Sequence, residues 1–288
     1  MRTLILFVAT SAIFGQQLAE PTIAHVLSAG RLQAIIGIPG AARFSTEQPT
    51  TRYTGIVTAS NAQVSLLLAP DTATWRSPQA SETIQLLTRP RAAAISPNGS
   101  WFAIATADHL LTTYHAAIAQ HTYTPSDLDT SADAIAIADN GTLLVSNNSD
   151  TSYVTPQAVA TTFPTSVECP LFAPGSDIAL ASSTTAHAIV QIAPNSGVAI
   201  IATLPDITAP TSLALSADAS TLWLSHEASP TLTALPLRSG QLHTYDISPG
   251  RLIPTGTPGV FLWATNTLLD TTRTPPETLL IAPEAAQQ

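Results

Sequence analysis

Residues 210–250, PTSLALSADASTLWLSHEASPTLTALPLRSGQLHTYDISPG, alternate four short apolar or alternating runs with clusters of turn formers. The runs are residues 212–215, 221–226, 231–236 and 241–247. Between them lie Ala217-Asp218-Ala219, Ala228-Ser229-Pro230 and Arg238-Ser239-Gly240. Thr, Leu and Trp suit a pleated, half-buried surface. Asp, Ser, Gly and Pro close turns, through local hydrogen bonds or a pre-set φ. The stretch therefore reads as a four-stranded antiparallel meander.

The same unit recurs along the chain. Its first strand, turn and second strand read AAISPNGSWFAIA around Ile95, AIAIADNGTLLVS around Ile137, PLFAPGSDIALAS around Phe172 and SLALSADASTLWLS around Leu215. Degenerate copies surround Ile56 and Thr255, and the six anchors lie 39, 42, 35, 43 and 40 residues apart. A period of about 40 residues with four strands is the signature of a β-propeller blade. A blade cannot bury both faces alone, so the blades must close into a ring. The 23 prolines argue further against helices. The expected fold is all-β, a single propeller over residues 20–288, with six blades favoured and seven admitted by the leftover residues at the two ends. Residues 22–40, TIAHVLSAGRLQAIIGIPG, match residues 231–250, the last two strands of a blade. The N-terminal strands are therefore expected to pair into the C-terminal blade and close the ring, which also covers its sheet edges.

The turns SPNG (96–99), ADNG (138–141) and SADA (216–219), each leading into an aliphatic or aromatic strand, resemble the repeats of bacterial YVTN/lactonase-like and WD40-like propellers. The likeness covers nearly all of residues 20–288, although the literal YVTN and WD signatures are absent. It implies architecture; such propellers range from lactone hydrolases to interaction modules.

Composition narrows the function classes. The chain has 288 residues, 45% of them hydrophobic, which is ample for a core. Only 10% are charged, against about 25% in an average soluble protein. All ten basic residues are arginine and the net charge is −9, which argues against a nucleic-acid partner. Residues 1–19 have the form of an export signal: Arg2, an apolar run over residues 4–13, then small residues. Periplasmic or extracellular placement is the expectation, with no membrane span in the mature chain. Cys169 is the only cysteine, so an intrachain disulfide is impossible.

No nucleophile elbow, P-loop, dinucleotide fingerprint or zinc-helix motif is present, and no cofactor is expected. The sharper signal comes from aligning the repeats. Four residues before each anchor stand Arg52, Arg91, Asp133, Glu168, Thr211 and Arg251, five of them charged. In a propeller these positions lie where each inner strand begins, beside the central channel. Such a ring suits a small anionic or hydroxylated ligand, with arginine donating paired hydrogen bonds. Alternatively, neighbouring blades pair their own charges there, since charges near an axis need partners to offset desolvation. The leading expectation is an exported, non-enzymatic propeller that binds a protein or small ligand at its channel mouth. The second is a lactonase-type hydrolase using Asp133 and Glu168 as metal ligands or bases, with an arginine stabilising the oxyanion. Trp75, Trp101, Trp223 and Trp263 are expected to pack between blades.

Overall fold

The computed structural model describes residues 21–45, 52–61, 63–128, 132–157, 159–204, 210–216, 218–226, 229–248, 250–264 and 266–282. The export-signal reading lies outside these residues. Seven antiparallel sheets form a seven-bladed propeller. Blade 1 comprises Thr22–Ser28, Arg31–Ile36 and Arg43–Phe44. Blades 2 to 7 have four strands each, within residues 55–85, 90–123, 134–163, 167–203, 212–246 and 253–280. Blade 6 has strands Ser212–Leu215, Thr221–Ser225, Thr231–Pro236 and His243–Asp246, close to the bounds read from sequence. Among the described residues, no helix is long and apolar enough to cross a membrane.

The ring has seven blades where six were favoured, and its ends meet differently from the expected way. The N-terminal strands form their own sheet, and Thr22–Ser28 sits innermost in it. The Ile23 carbonyl accepts a hydrogen bond from the Gly256 N–H of blade 7 (2.6 Å), and the Gly30 carbonyl accepts one from the Tyr53 N–H (2.9 Å), just before blade 2. The C-terminal blade is complete without them, and the chain beyond it returns to blade 1. Ala282 N–H donates to the Ala42 carbonyl (2.9 Å), and Arg43 and Ala282 form a parallel bridge. The sequence match of residues 22–40 to an outer hairpin has a local cause. Ala29 and Gly30 form a two-residue turn with positive φ (50° and 77°), and the longer connection after Pro236 also holds a positive-φ glycine, Gly240 (67°), so the match reports a turn glycine rather than a position in the sheet.

Blade-to-blade burial holds the ring. One cluster joins Leu111 and Tyr123 of blade 3 to Ile137 and Leu143 of blade 4. Others join blades 4 and 5, 5 and 6, 6 and 7, and 2 and 3. A further cluster joins Leu262 and Leu268 of blade 7 to Ile23 and Ile35 of blade 1, with Ile281 alongside. Polar clasps align these seams. Trp75 Nε1–H donates to the Gly99 carbonyl of the next blade (3.0 Å), and the Tyr153 hydroxyl donates to the Asp177 carbonyl (2.7 Å). Asp139 reaches in both directions: one oxygen accepts from Asn98 N–H of blade 3 (2.8 Å), the other from Gly175 N–H of blade 5 (2.9 Å).

The turns after the inner strands share one chemistry. Asn98 Oδ1 accepts from Ser100 N–H, Asn140 Oδ1 from Thr142 N–H and Asp218 Oδ1 from Ser220 N–H. These side chain-to-backbone bonds two residues on are what Asn and Asp contribute to turns. Low surface charge is offset by hydroxyl ladders between third and outer strands, such as Thr74–Thr83 (3.0 Å) and Thr112–Thr122 (3.1 Å).

Three outcomes follow from these contacts. Gly141 has φ +87°, and an added Cβ would lie 3.0 Å from the Trp101 ring of the preceding blade. Gly141→Val is expected to lower stability by about 1–3 kcal/mol in denaturant melts, combining backbone strain with a clash. Asp139→Ala removes an acceptor from two blades at once and is expected to cost a similar amount, about 1–3 kcal/mol. The Asp218 carboxyl is held at about 2 by the Ser216 and Ser220 hydroxyls and the Ser220 N–H. Its folded value lies below the unfolded value of about 3.9, so its stabilisation is present above that pH and is lost as pH falls through about 2. Carboxyl NMR titration is expected to show this low midpoint, rising in Ser216→Ala.

Candidate functional site

A cavity of about 670 Å³ occupies the central channel. It is lined by six inner-strand regions, mostly their second halves, and by the turns that follow. Val57, Ile95, Ile137, Leu171, Leu215 and Phe261 contribute to its apolar wall. Short side chains such as Ala93, Ala94 and Ala214 leave the space open. At the turn end the lining becomes polar, through Ser60, Asn61, Asn98, Asp139, Ser216 and Thr257. Most of these groups are engaged within the fold. Asn61 Nδ2 donates to the Asn98 carbonyl (3.1 Å), Ser216 Oγ to Asp218 (2.6 Å), and Asp139 accepts its two backbone N–H groups.

The six residues picked from the repeat alignment lie where the inner strands begin, at the opposite end of those strands from the polar turns. Arg91 and Asp133, on adjacent blades, form an ion pair. This is a pairing of charges between neighbouring blades at the strand starts. Thr211 Oγ1 donates to the Ser225 carbonyl (3.2 Å). Arg52 and Glu168 are exposed and do not line the cavity. Arg251 is exposed as well, but alone of the six it also lines the cavity, at its open strand-start end, and among the described residues no acidic side chain pairs with its guanidinium.

Cys169 lines the cavity at the same end as Arg251, a contribution that sequence reading did not assign. Val167–Phe172 shifts register between Glu168 and Leu171, and Cys169 has φ +49°. Its Sγ lies near the Pro210 and Thr211 carbonyls (3.5 and 3.4 Å). No pattern of residue types announces a bulge there, although Pro170 beside it was a signal of irregularity within the strand.

The tryptophans serve packing. Trp263, 2% exposed, lies against Gly250 and donates from Nε1 to the Ser248 carbonyl (2.8 Å). Trp223 is buried against Tyr245 (ring centroids 6.3 Å apart). Among the described residues, no group of three or more His, Cys, Asp or Glu side chains converges as a metal-binding set.

No family model matches the sequence, and no curated protein matches it. Solved structures do. A catalytically inactive virginiamycin B lyase from Staphylococcus aureus, determined with quinupristin, superposes with a TM-score of 0.59 at 11% identity, covering 88% of this chain and 92% of that one. A streptogramin B lyase gives a TM-score of 0.59 at 8% identity, over 88% and 91% of the two chains. U3-55K gives 0.56 at 10% identity, over 77% and 78%. At these identities the likeness is one of fold, and the fold it establishes is the β-propeller expected from the repeat.

Proposed function

We propose that the protein is an exported β-propeller that binds a ligand in its central channel and does not transform it. The observation that carries this reading is the cavity, about 670 Å³ and walled mainly by aliphatic side chains. Ligand pockets commonly measure roughly 300–1,000 Å³ and are mostly apolar with a few placed polar groups. Only Asp139, Cys169 and Arg251 can ionise among the described lining side chains. Asp139 already serves two backbone N–H groups that align three blades. General acid–base catalysis calls for a side chain positioned toward the substrate, whereas both Asp139 oxygens are taken up by backbone N–H groups, so this lining favours holding over converting. The export part rests on the pattern of residues 1–19.

Cys169 gives a test at a known place, because it is the only cysteine and lines the cavity. Small apolar molecules are screened for a rise in melting temperature together with slower alkylation of Cys169. Ligand at 100 times its dissociation constant adds about 2.7 kcal/mol. The expected result is both effects with the molecule recovered unchanged. Opening of a lactone by the wild-type chain, lost in Glu168→Gln, would overturn the reading in favour of the hydrolase. An intact Met1 on chain recovered from its host would remove the export part.

A further inference from the structure

The cavity is polarised along its length. At the strand-start end stands Arg251, whose guanidinium no acidic side chain neutralises among the described residues. Arg91, at the matching position of blade 3, is neutralised by Asp133. At the turn end stands the Asp139 carboxylate. Between the two the wall is largely aliphatic, from Val57, Ile95, Leu171 and Leu215.

Each part selects for a feature of the ligand. The aliphatic wall favours an apolar body, at roughly 25 cal/mol per Å² removed from water. An exposed arginine at the mouth of an apolar chamber favours an anion there, and its planar donors match a carboxylate with two parallel hydrogen bonds. Asp139 disfavours a second anion at the far end, because like charges near low-dielectric walls repel strongly. From Arg251 to Gly256 the lining spans five residues, at most roughly 16 Å of extended chain.

We infer that the channel takes a single-headed anionic amphiphile, its carboxylate on Arg251 and its apolar body along the inner strands toward the turns. This inference rests on the channel-binding reading above and adds the chemistry and orientation of the ligand. The chain as a whole carries −9. Selectivity for an anion is therefore a local property of Arg251 rather than of the overall field.

The test uses four probes built on a ten-carbon chain, the two surfactants below their micellar concentrations: decanoate, 1-decanol, decyltrimethylammonium and the diacid sebacate. The readouts are the alkylation rate of Cys169 by iodoacetamide and the melting temperature. Decanoate is expected to slow alkylation and raise the melting temperature, 1-decanol to do so more weakly, and the cation and the diacid to do neither. Arg251→Ala is expected to weaken decanoate at least tenfold while leaving 1-decanol unchanged, and Arg251→Lys to retain part of the preference. Arg52→Ala, outside the cavity lining, is expected to bind decanoate as the wild type does. If decanoate and 1-decanol act equally, and equally in Arg251→Ala, the anionic head is overturned while channel binding stands. If none of the probes changes either readout, the channel-binding reading falls with it.

Discussion

Burial of one blade's face against the next is the constraint on which the molecule depends. Each sheet is only four strands wide or less, and a sheet of that size holds together when an apolar face is covered. The described clusters are accordingly shared between neighbours: Phe102 and Ile104 with Leu66, Tyr153 with Phe172, Trp223 with Trp263. None belongs to a single blade. The polar contacts that cross the seams, from Trp75, Tyr153 and Asp139, set the angle of one blade to the next. Their net energies are modest beside the burial. Tyr153 shows how deep such a clasp sits: burial, with Asp177 nearby, pushes its hydroxyl up to about 12.

The channel is a by-product of that geometry. Seven inner strands arranged around an axis cannot all touch, and where their side chains are short the axis stays open. The residues nearest the axis therefore define a chamber without first being selected as a site. What distinguishes this chamber is how few of its walls are ionisable and how fully its polar end is used by the turns. Asn98 illustrates the second point. Its side chain serves Ser96 and Ser100, its N–H serves Asp139, and its carbonyl serves Asn61.

The fold was legible in the sequence because its determinants are local. Asn98, Asn140 and Asp218 make their defining bonds within two residues, so the turns could be read, and the strands between them followed. The strands of blade 6 match to within two residues at each end. Blade 1 was misplaced because a hairpin's residues encode its twist and not its distance from the axis. The functional reading met the same limit. Repeat alignment puts these residues at inner-strand starts, but which of those side chains pair with one another is set by blade spacing. Arg91 and Asp133 lie 42 residues apart and meet; Arg251 lines the cavity. The exposure of Cys169 to the cavity depends on a register shift in one strand, to which composition is blind.

Closure between Ala42 and Ala282 also has a kinetic meaning. The hairpins within each blade connect residues close in sequence, whereas this contact closes a loop of 240 residues. Chain entropy rises with loop length, and contacts of high sequence separation form slowly. Blades are thus expected to assemble along the chain before the first and last meet. Until they do, Ile23, Ile35, Leu262 and Leu268, which cover one another in the finished ring, face water as two unmatched apolar surfaces. The interval before the ends join is the time in which one chain's last blade can meet another chain's first, so the closing seam governs how concentrated the folding chains can be without aggregating.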